Sequence, residues 1–325
     1  MRNFLIGVII GILFSVGTYY GKRELQNYIA SQATISPLGK IFERPLDKYT
    51  ILALSSRKFT GSQIVLDTPI ATTSAYTAYK FHFYSDNKKV TGLAHIPNGK
   101  GPYSVIVQFR GFIDPKNYVP GAGTQHSAEV YAANGFISLA PDFLGFGGSD
   151  NPSSDVFEER FETYTTALNL LASVKSLPMA DSSKVGIWGH SNGGQIALTA
   201  LEVLGRPIPA TLWAPVSKPF PYSVLYYTDE APDHGKALRR ELADFEQNYD
   251  AEKYSLTNYL DRITGPVLLH QGTDDNAVPV AWSDALSKAL KNVEYVTHPG
   301  ADHDMNGAWN TVVGQDMKFF TEKGK

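Results

Sequence analysis

The chain has 325 residues, enough for one large mixed domain or two small ones. Hydrophobic residues make up 43% and charged residues 19%, a globular composition that excludes general disorder. The net charge of -3 gives no general attraction to nucleic acid, so none is expected as a partner, and nothing in the sequence fixes an oligomeric state. The absence of cysteine excludes disulfides, thiolate metal sites and a cysteine nucleophile.

The first segment, "MRNFLIGVIIGILFSVGTYYGKREL", carries Arg2, an uncharged run from Asn3 to Gly21, and then Lys22 and Arg23. The apolar part Phe4–Val16 has the length of a signal-peptide core, and counting through Tyr20 makes it just long enough to span a bilayer. Tyr19 and Tyr20 suit an interfacial belt, while Ser15 and Gly17 form a weak cleavage site. Residues 1–21 are therefore expected to be a membrane anchor or an exported signal, with the remainder outside the cytoplasm. Residues 22–73, with the turn-forming "SPLGK" and "RPLDK", read as a leader or linker, and 74–325 as the main folded domain.

From Tyr76 onward strand and helix patterns alternate. "YTAYKFHFYS" and "KVTGLAHIP" alternate apolar and polar residues, as half-buried antiparallel strands do. "YSVIVQF" and "FISLAP" are continuous apolar runs suited to strands covered on both faces. "HSAEVYAANG" between them reads as a helix ended by Gly135. The long amphipathic helix "ERFETYTTALNLLASVKSL" stops near Pro178. Then follow strand "KVGIW", helix "GGQIALTALEVLG" and strand "PATLWAP". After a gap come strand "GPVLLHQG", helix "WSDALSKALK", strand "VEYVTHPG" and the closing helix "AWNTVVGQDMKFFTEK". Strands and helices in alternation imply a mostly parallel central sheet with helices on both faces. The gap, about 214–264, breaks the rhythm and reads as an insertion with two helical pieces, "HGKALRRELADFEQNY" and "AEKYSLTNYLDR". It follows the strand "PATLWAP" and is placed to overhang the carboxyl edge of the sheet as a small lid, its Tyr-rich "YSVLYYTDE" available to line a pocket beneath it.

That turn is "GHSNG", with Ser191 between a strand and a helix. A sharp corner there lifts the hydroxyl to the carboxyl edge of the sheet. Gly189 and Gly193 remove Cβ atoms that would collide across the corner. The helix directs free N–H groups at the same point, which makes the Asn192 amide one half of an oxyanion hole. The Gly-x-Ser-x-Gly pattern alone is weak; its strand-turn-helix setting gives it weight. A serine nucleophile needs a base and a group to orient that base. In this topology the order is serine, acid, histidine, each in a loop after a strand. "VLLHQGTDDNAVP" delivers Asp274 and Asp275 at one strand end, with Asp275 preferred by its spacing to Val278 and Pro279. "EYVTHPGADHD" delivers His303 beyond Pro299 and Gly300, with His298 as the competitor at the strand's end. His82, His95, His126, His234 and His270 lack such a setting, and His190 is expected to pack beneath the turn. The second oxyanion donor is expected from "RGFIDPKNY", where Gly111 permits close approach and Phe112 N–H donates. "APDFLGFGGSD" matches neither phosphate-binding glycine pattern and reads as a structural loop. There is no His/Glu zinc spacing, and a serine mechanism calls for no metal or organic cofactor.

On "GHSNGG", "HQGTDDNAVPVAWSDAL" and "HPGADHD", the chain from about Tyr76 to its end resembles the α/β-hydrolase superfamily. More closely it is similar to the catalytic domain of the prolyl oligopeptidase family and its dienelactone-hydrolase-like relatives. The resemblance implies Ser191, Asp275 and His303 as the triad, through Gly-Thr-x-Asp-x-x-Val-Pro-like and Pro-Gly-x-x-His patterns. Two features depart from the peptidases: the leader is too short for their β-propeller, and His190 stands where an aromatic residue is more usual. The expected function is a serine hydrolase acting through an acyl-enzyme on a short peptide or a small ester. Serine-type peptidase is the first expectation, carboxylesterase the alternative, and a non-catalytic binding protein on the same fold the alternative of another class. A histidine base also implies a rate that rises with pH as the imidazole loses its proton.

Overall fold

The computed structural model describes residues 43–228 and 231–324. The anchor or signal expected over residues 1–21 and the first part of the leader lie outside the described residues. Among the described residues no helix is long and apolar enough to cross a membrane.

Nine strands form one sheet among the described residues: β1 (Val65–Thr72), β2 (Tyr76–Ser85), β3 (Lys88–Pro97), β4 (Tyr103–Phe109), β5 (Phe136–Pro141), β6 (Ala180–His190), β7 (Ala210–Trp213), β8 (Val267–Gly272) and β9 (Val293–His298). The helices are α1 (Ile51–Ser56), α2 (Gln125–Ala133), α3 (Val156–Ser173), α4 (Asn192–Leu204), α5 (Tyr222–Leu225), α6 (Lys236–Asn248), α7 (Val280–Ala289) and α8 (Trp309–Lys323). The spatial order is β1-β2-β3-β5-β4-β6-β7-β8-β9. The first three strands and the β3–β5 pair are antiparallel, and from β5 to β9 every pairing is parallel.

Hydrophobicity accounts for this division. In β2 the buried residues Phe81, Phe83 and Ser85 alternate with more exposed ones, as one-sided burial requires. In β5, β7 and β8 every residue is buried. Successive residues of the parallel strands feed two separate cores. Val105, Val107, Ile187 and Leu269 join Phe161, Leu168 and Ile196 of α3 and α4 on one face. Ile106, Trp188 and Leu268 join Tyr131, Phe319 and Phe320 of α2 and α8 on the other. The helices thus cover both faces, as the apolar runs imply.

Two segments depart from the sequence reading. The stretch 22–73, expected as a leader, carries α1 and β1 in its described part. Tyr49, Ile51 and Leu54 are buried in the core, and β1 pairs antiparallel with β2. The compact unit accordingly runs from Leu46 to the C-terminus. Within the insertion, α6 forms as expected, but "AEKYSLTNYLDR" folds as three short 3-10 turns, Ala251–Tyr254, Leu256–Asn258 and Leu260–Arg262. Ser255 and Tyr259, which have non-helical backbone between the turns, let Tyr254, Leu256 and Leu260 all point inward. Phe220, Phe245 and Tyr254 then close around Phe157 and Phe161 of α3, with ring centroids 4.9–5.6 Å apart in the closest pairs.

Candidate active site

The carboxyl ends of β4, β6, β8 and β9 meet at one edge of the sheet, where a parallel α/β sheet places its ligands. At the end of β6 the chain turns into α4 through Ser191, whose φ of 56° and ψ of −120° lie in a region that costs a non-glycine residue strain. Backbone bonds hold the corner. Ser191 N–H donates to Trp213 O at 2.9 Å, and Ser191 O accepts from Gly194 N–H at 3.0 Å and Val216 N–H at 2.9 Å. The glycines give the corner its space. A Cβ on Gly193 would lie 1.9 Å from Phe109 O, and one on Gly189 would lie 2.7 Å from Gly193 O. Gly194 has the same role against Pro215, 2.5 Å away, a contact the sequence pattern does not announce.

The acid and base positions come together in space. His303 Nδ1 donates to Asp275 Oδ2 at 2.8 Å. The Asp275 side chain is fully buried and that of His303 is 21% exposed. The Ala277 and Val278 amides donate to Asp275 Oδ1, each at 2.8 Å, and Gln271 Nε2 donates to Oδ2 at 3.0 Å. Burial opposes ionisation of Asp275, but the His303 hydrogen bond and these amides outweigh it and hold its carboxyl below the usual range. Asp274, the alternative, is exposed. With Nδ1 engaged, His303 keeps Nε2 available. No hydrogen bond joins it to Ser191 Oγ among the described residues.

The competing histidines have other partners. His298 Nε2 lies 2.9 Å from His270 Nδ1, and His270 Nε2 lies 3.2 Å from Asp316 Oδ1. Asp316 also accepts from Tyr131 OH at 2.8 Å and Trp213 Nε1 at 2.9 Å. His270 and Asp316 are wholly buried, so these hydrogen bonds brace β7, β8 and α8 and engage His298 Nε2. His190 is buried at the turn, as expected, and goes further: its Nε2–H donates to His303 O at 2.9 Å, and its ring lies 4.7 Å from that of His303. Burial, and then the charge of His303, push its pKa down to about 4, so it braces the base loop as a neutral ring. His126, outside this cluster, stacks on Trp309 at 3.7 Å.

The loop after β4 abuts the corner, where a Cβ on Gly111 would lie 3.1 Å from Ser191 Cβ. Phe112 and Asn192 line one cavity of about 400 Å³. Leu144, Phe157, Ile196, Val224 and Leu238 supply its apolar wall, the last two from the insertion, which thus borders the site. A larger cavity of about 570 Å³ lies over β1–β3 and the glycine loop 145–148 and touches neither Ser191 nor Asn192. No group of metal-ligating side chains occurs among the described residues.

The model of the prolyl oligopeptidase family matches residues 123–323, more than half of the chain. The chain belongs to the prolyl oligopeptidase family. Among curated proteins it is 26% identical over 146 residues to dipeptidyl peptidase family member 6 of Caenorhabditis elegans. That match spans 41% of this chain and 19% of the relative's length. Among solved structures, acetyl xylan esterase 1 from Thermoanaerobacterium sp. JW/SL YS485 aligns with a TM-score of 0.63 at 19% identity, covering 85% of this chain and 93% of that one. A puromycin-hydrolyzing peptidase of Mycobacterium tuberculosis aligns with a TM-score of 0.59 at 20% identity, covering 78% of this chain and 40% of that one. The fold is that of the α/β-hydrolases, and the chain spans about a fifth of the length of the curated relative it matches.

Proposed function

We propose that this family member hydrolyses carboxylic esters through Ser191, His303 and Asp275. The observation that carries the reading is the buried Asp275–His303 hydrogen bond beside a strained serine corner. His303 Nε2 takes the proton of Ser191 as Oγ attacks the acyl carbon. Asp275 keeps Nδ1 protonated and stabilises the imidazolium. The amides of Asn192 and Phe112, neither of which donates to another backbone group among the described residues, receive the oxyanion. The alcohol leaves with the proton from His303, and water, activated by the same base, releases the acid from Ser191. Ester over amide is supported by the acetyl xylan esterases among the structures of like fold.

A second reading, serine-type peptidase, is favoured by the dipeptidyl peptidase relative. The test compares an activated short-chain ester with a proline-containing peptide anilide, using Ser191→Ala as control. Ester turnover that vanishes in the variant is expected. Anilide turnover that vanishes likewise would replace the esterase reading with the peptidase one. Turnover equal in parent and variant would remove the serine from the chemistry.

The uncharged run Asn3–Gly21, with its apolar part Phe4–Val16, supports a body tethered to a membrane or exported, outside the cytoplasm. Alkaline extraction of membranes from cells expressing the full chain tests the tether. Retention in the pellet is expected of an anchor, and a product lacking residues 1–21 of a cleaved signal; full-length chain in the soluble cytoplasmic fraction would contradict both.

A further inference from the structure

The cavity at the N-terminus of α4 is apolar apart from a few groups, and two of these are arginines. Arg110 is 6% exposed. Its Nη1 donates to Gly111 O at 3.0 Å and its Nη2 to Asp142 O at 3.1 Å, both backbone carbonyls. Its guanidinium lies over the rings of Tyr118 and Phe146, at 4.6 and 4.2 Å. The Asp142 carboxylate is taken by Tyr118 OH and Thr91 Oγ1 instead. Arg160, on α3, donates from Nη2 to Gln195 Oε1 at 2.6 Å, and Gln195 Nε2 donates to Ser223 Oγ of α5 at 3.2 Å. The Nε atoms of both arginines are buried with no hydrogen-bond partner, and neither guanidinium forms an ion pair within 4.0 Å among the described residues. Glu159 lines the same cavity without pairing with either.

A buried guanidinium, Arg110, and a half-buried one, Arg160, neither in hydrogen-bond contact with a carboxylate, are a cost that a cavity of this size bears only against some return, because a buried cation needs an anion or a full set of acceptors. The return is set by where they stand. Gln195, which holds Arg160, is four residues beyond Ser191, so the backbone position that anchors Arg160 lies about 6 Å along α4 from that of the nucleophile. That is the reach of a short acyl chain ending in a carboxylate. The side of the scissile bond follows from the proton path. The leaving group must lie against His303 to be protonated. No residue of the Asp275 or His303 loops lines this cavity, so it takes the acyl side.

We infer that the acyl pocket selects an acid with a second, free carboxylate three to four bonds from the scissile carbonyl, bound by Arg160 with Arg110 supplying positive potential. The inference rests on the hydrolase reading of Ser191. Bidentate recognition by a planar guanidinium is the chemistry such a carboxylate meets.

The experiment measures ethanol release from monoethyl glutarate and from its neutral isostere, in which an isopropyl group replaces the free carboxylate. The parent is expected to favour the acidic ester in kcat/KM by about tenfold or more, the worth of one hydrogen bond to a charged group. Arg160→Gln brings that ratio close to one, and Arg160→Lys, which keeps the charge without the fork, recovers part of it. Equal kcat/KM for the two esters in the parent, or a ratio unmoved by Arg160→Gln, would overturn the inference while leaving the hydrolase reading intact. Should neither ester be cleaved, the hydrolase reading is what has failed for these substrates, and calorimetry on Ser191→Ala decides the pocket. Monoethyl glutarate binding that Arg160→Gln weakens about tenfold upholds it; no binding, or binding indifferent to Arg160, overturns it.

Discussion

Asp275 carries two demands at once: it must be ionised to hold His303, and it must be buried to hold it rigidly. Two backbone amides, Gln271 and His303 reconcile these demands. Asp275→Asn keeps the shape and the burial but offers His303 the wrong tautomer, so kcat is expected to fall by about 10³–10⁴-fold with KM little changed. Steady-state kinetics on the ester that the parent cleaves check this. His190 gives a separate prediction in stability. Its pKa falls from 6.5 in the unfolded chain to about 4 in the folded one, so the unfolded state takes up a proton first as pH drops. Stability from this source is complete above the unfolded value and lost as pH falls from there toward about 4. Thermal midpoints across that window should decline less steeply in His190→Gln than in the parent. An acid limb of unchanged slope would show that the ring is not held neutral. Arg160 and Arg110 had no signal of their own, because the contact that sets Arg160 beside the nucleophile helix joins residues 35 apart in sequence.

At the scale of elements, legibility followed burial. Strands with every residue buried, β5, β7 and β8, announce themselves as apolar runs. β1 does not: only Leu66 is partly buried, Pro69 interrupts it, and its register with β2 shifts on either side of that proline. An edge strand of this kind has no alternation to read. The three 3-10 turns of the insertion were hidden for a different reason, since their inward residues are chosen by the aromatic cluster on α3 rather than by a local period. α1 tests how far the stretch before β1 belongs to the fold. Leu54 is wholly buried in the main core, so Leu54→Ala is expected to destabilise by about 2–5 kcal/mol in denaturant unfolding. A change below about 0.5 kcal/mol would mean that α1 is an appendage.

Across the whole molecule, the order of strand ends made the site visible before any distance was known. Serine, acid and histidine each follow a different parallel strand, and β6, β8 and β9 bring them to one edge. The sequence left Asp274 or Asp275, and His298 or His303, to be decided by side-chain direction, which pattern alone does not carry. The pairing of His303 with Asp275 and of His298 with His270 is the geometry on which the proposed triad rests. The central claim is that Ser191 is the group that forms the acyl-enzyme. Its most direct test is a fluorophosphonate label followed by intact mass and peptide mapping. One adduct per chain on the peptide containing Ser191, absent in Ser191→Ala and slowed in His303→Gln, is what the account predicts. No adduct, or an adduct on another residue that persists in Ser191→Ala, would contradict it.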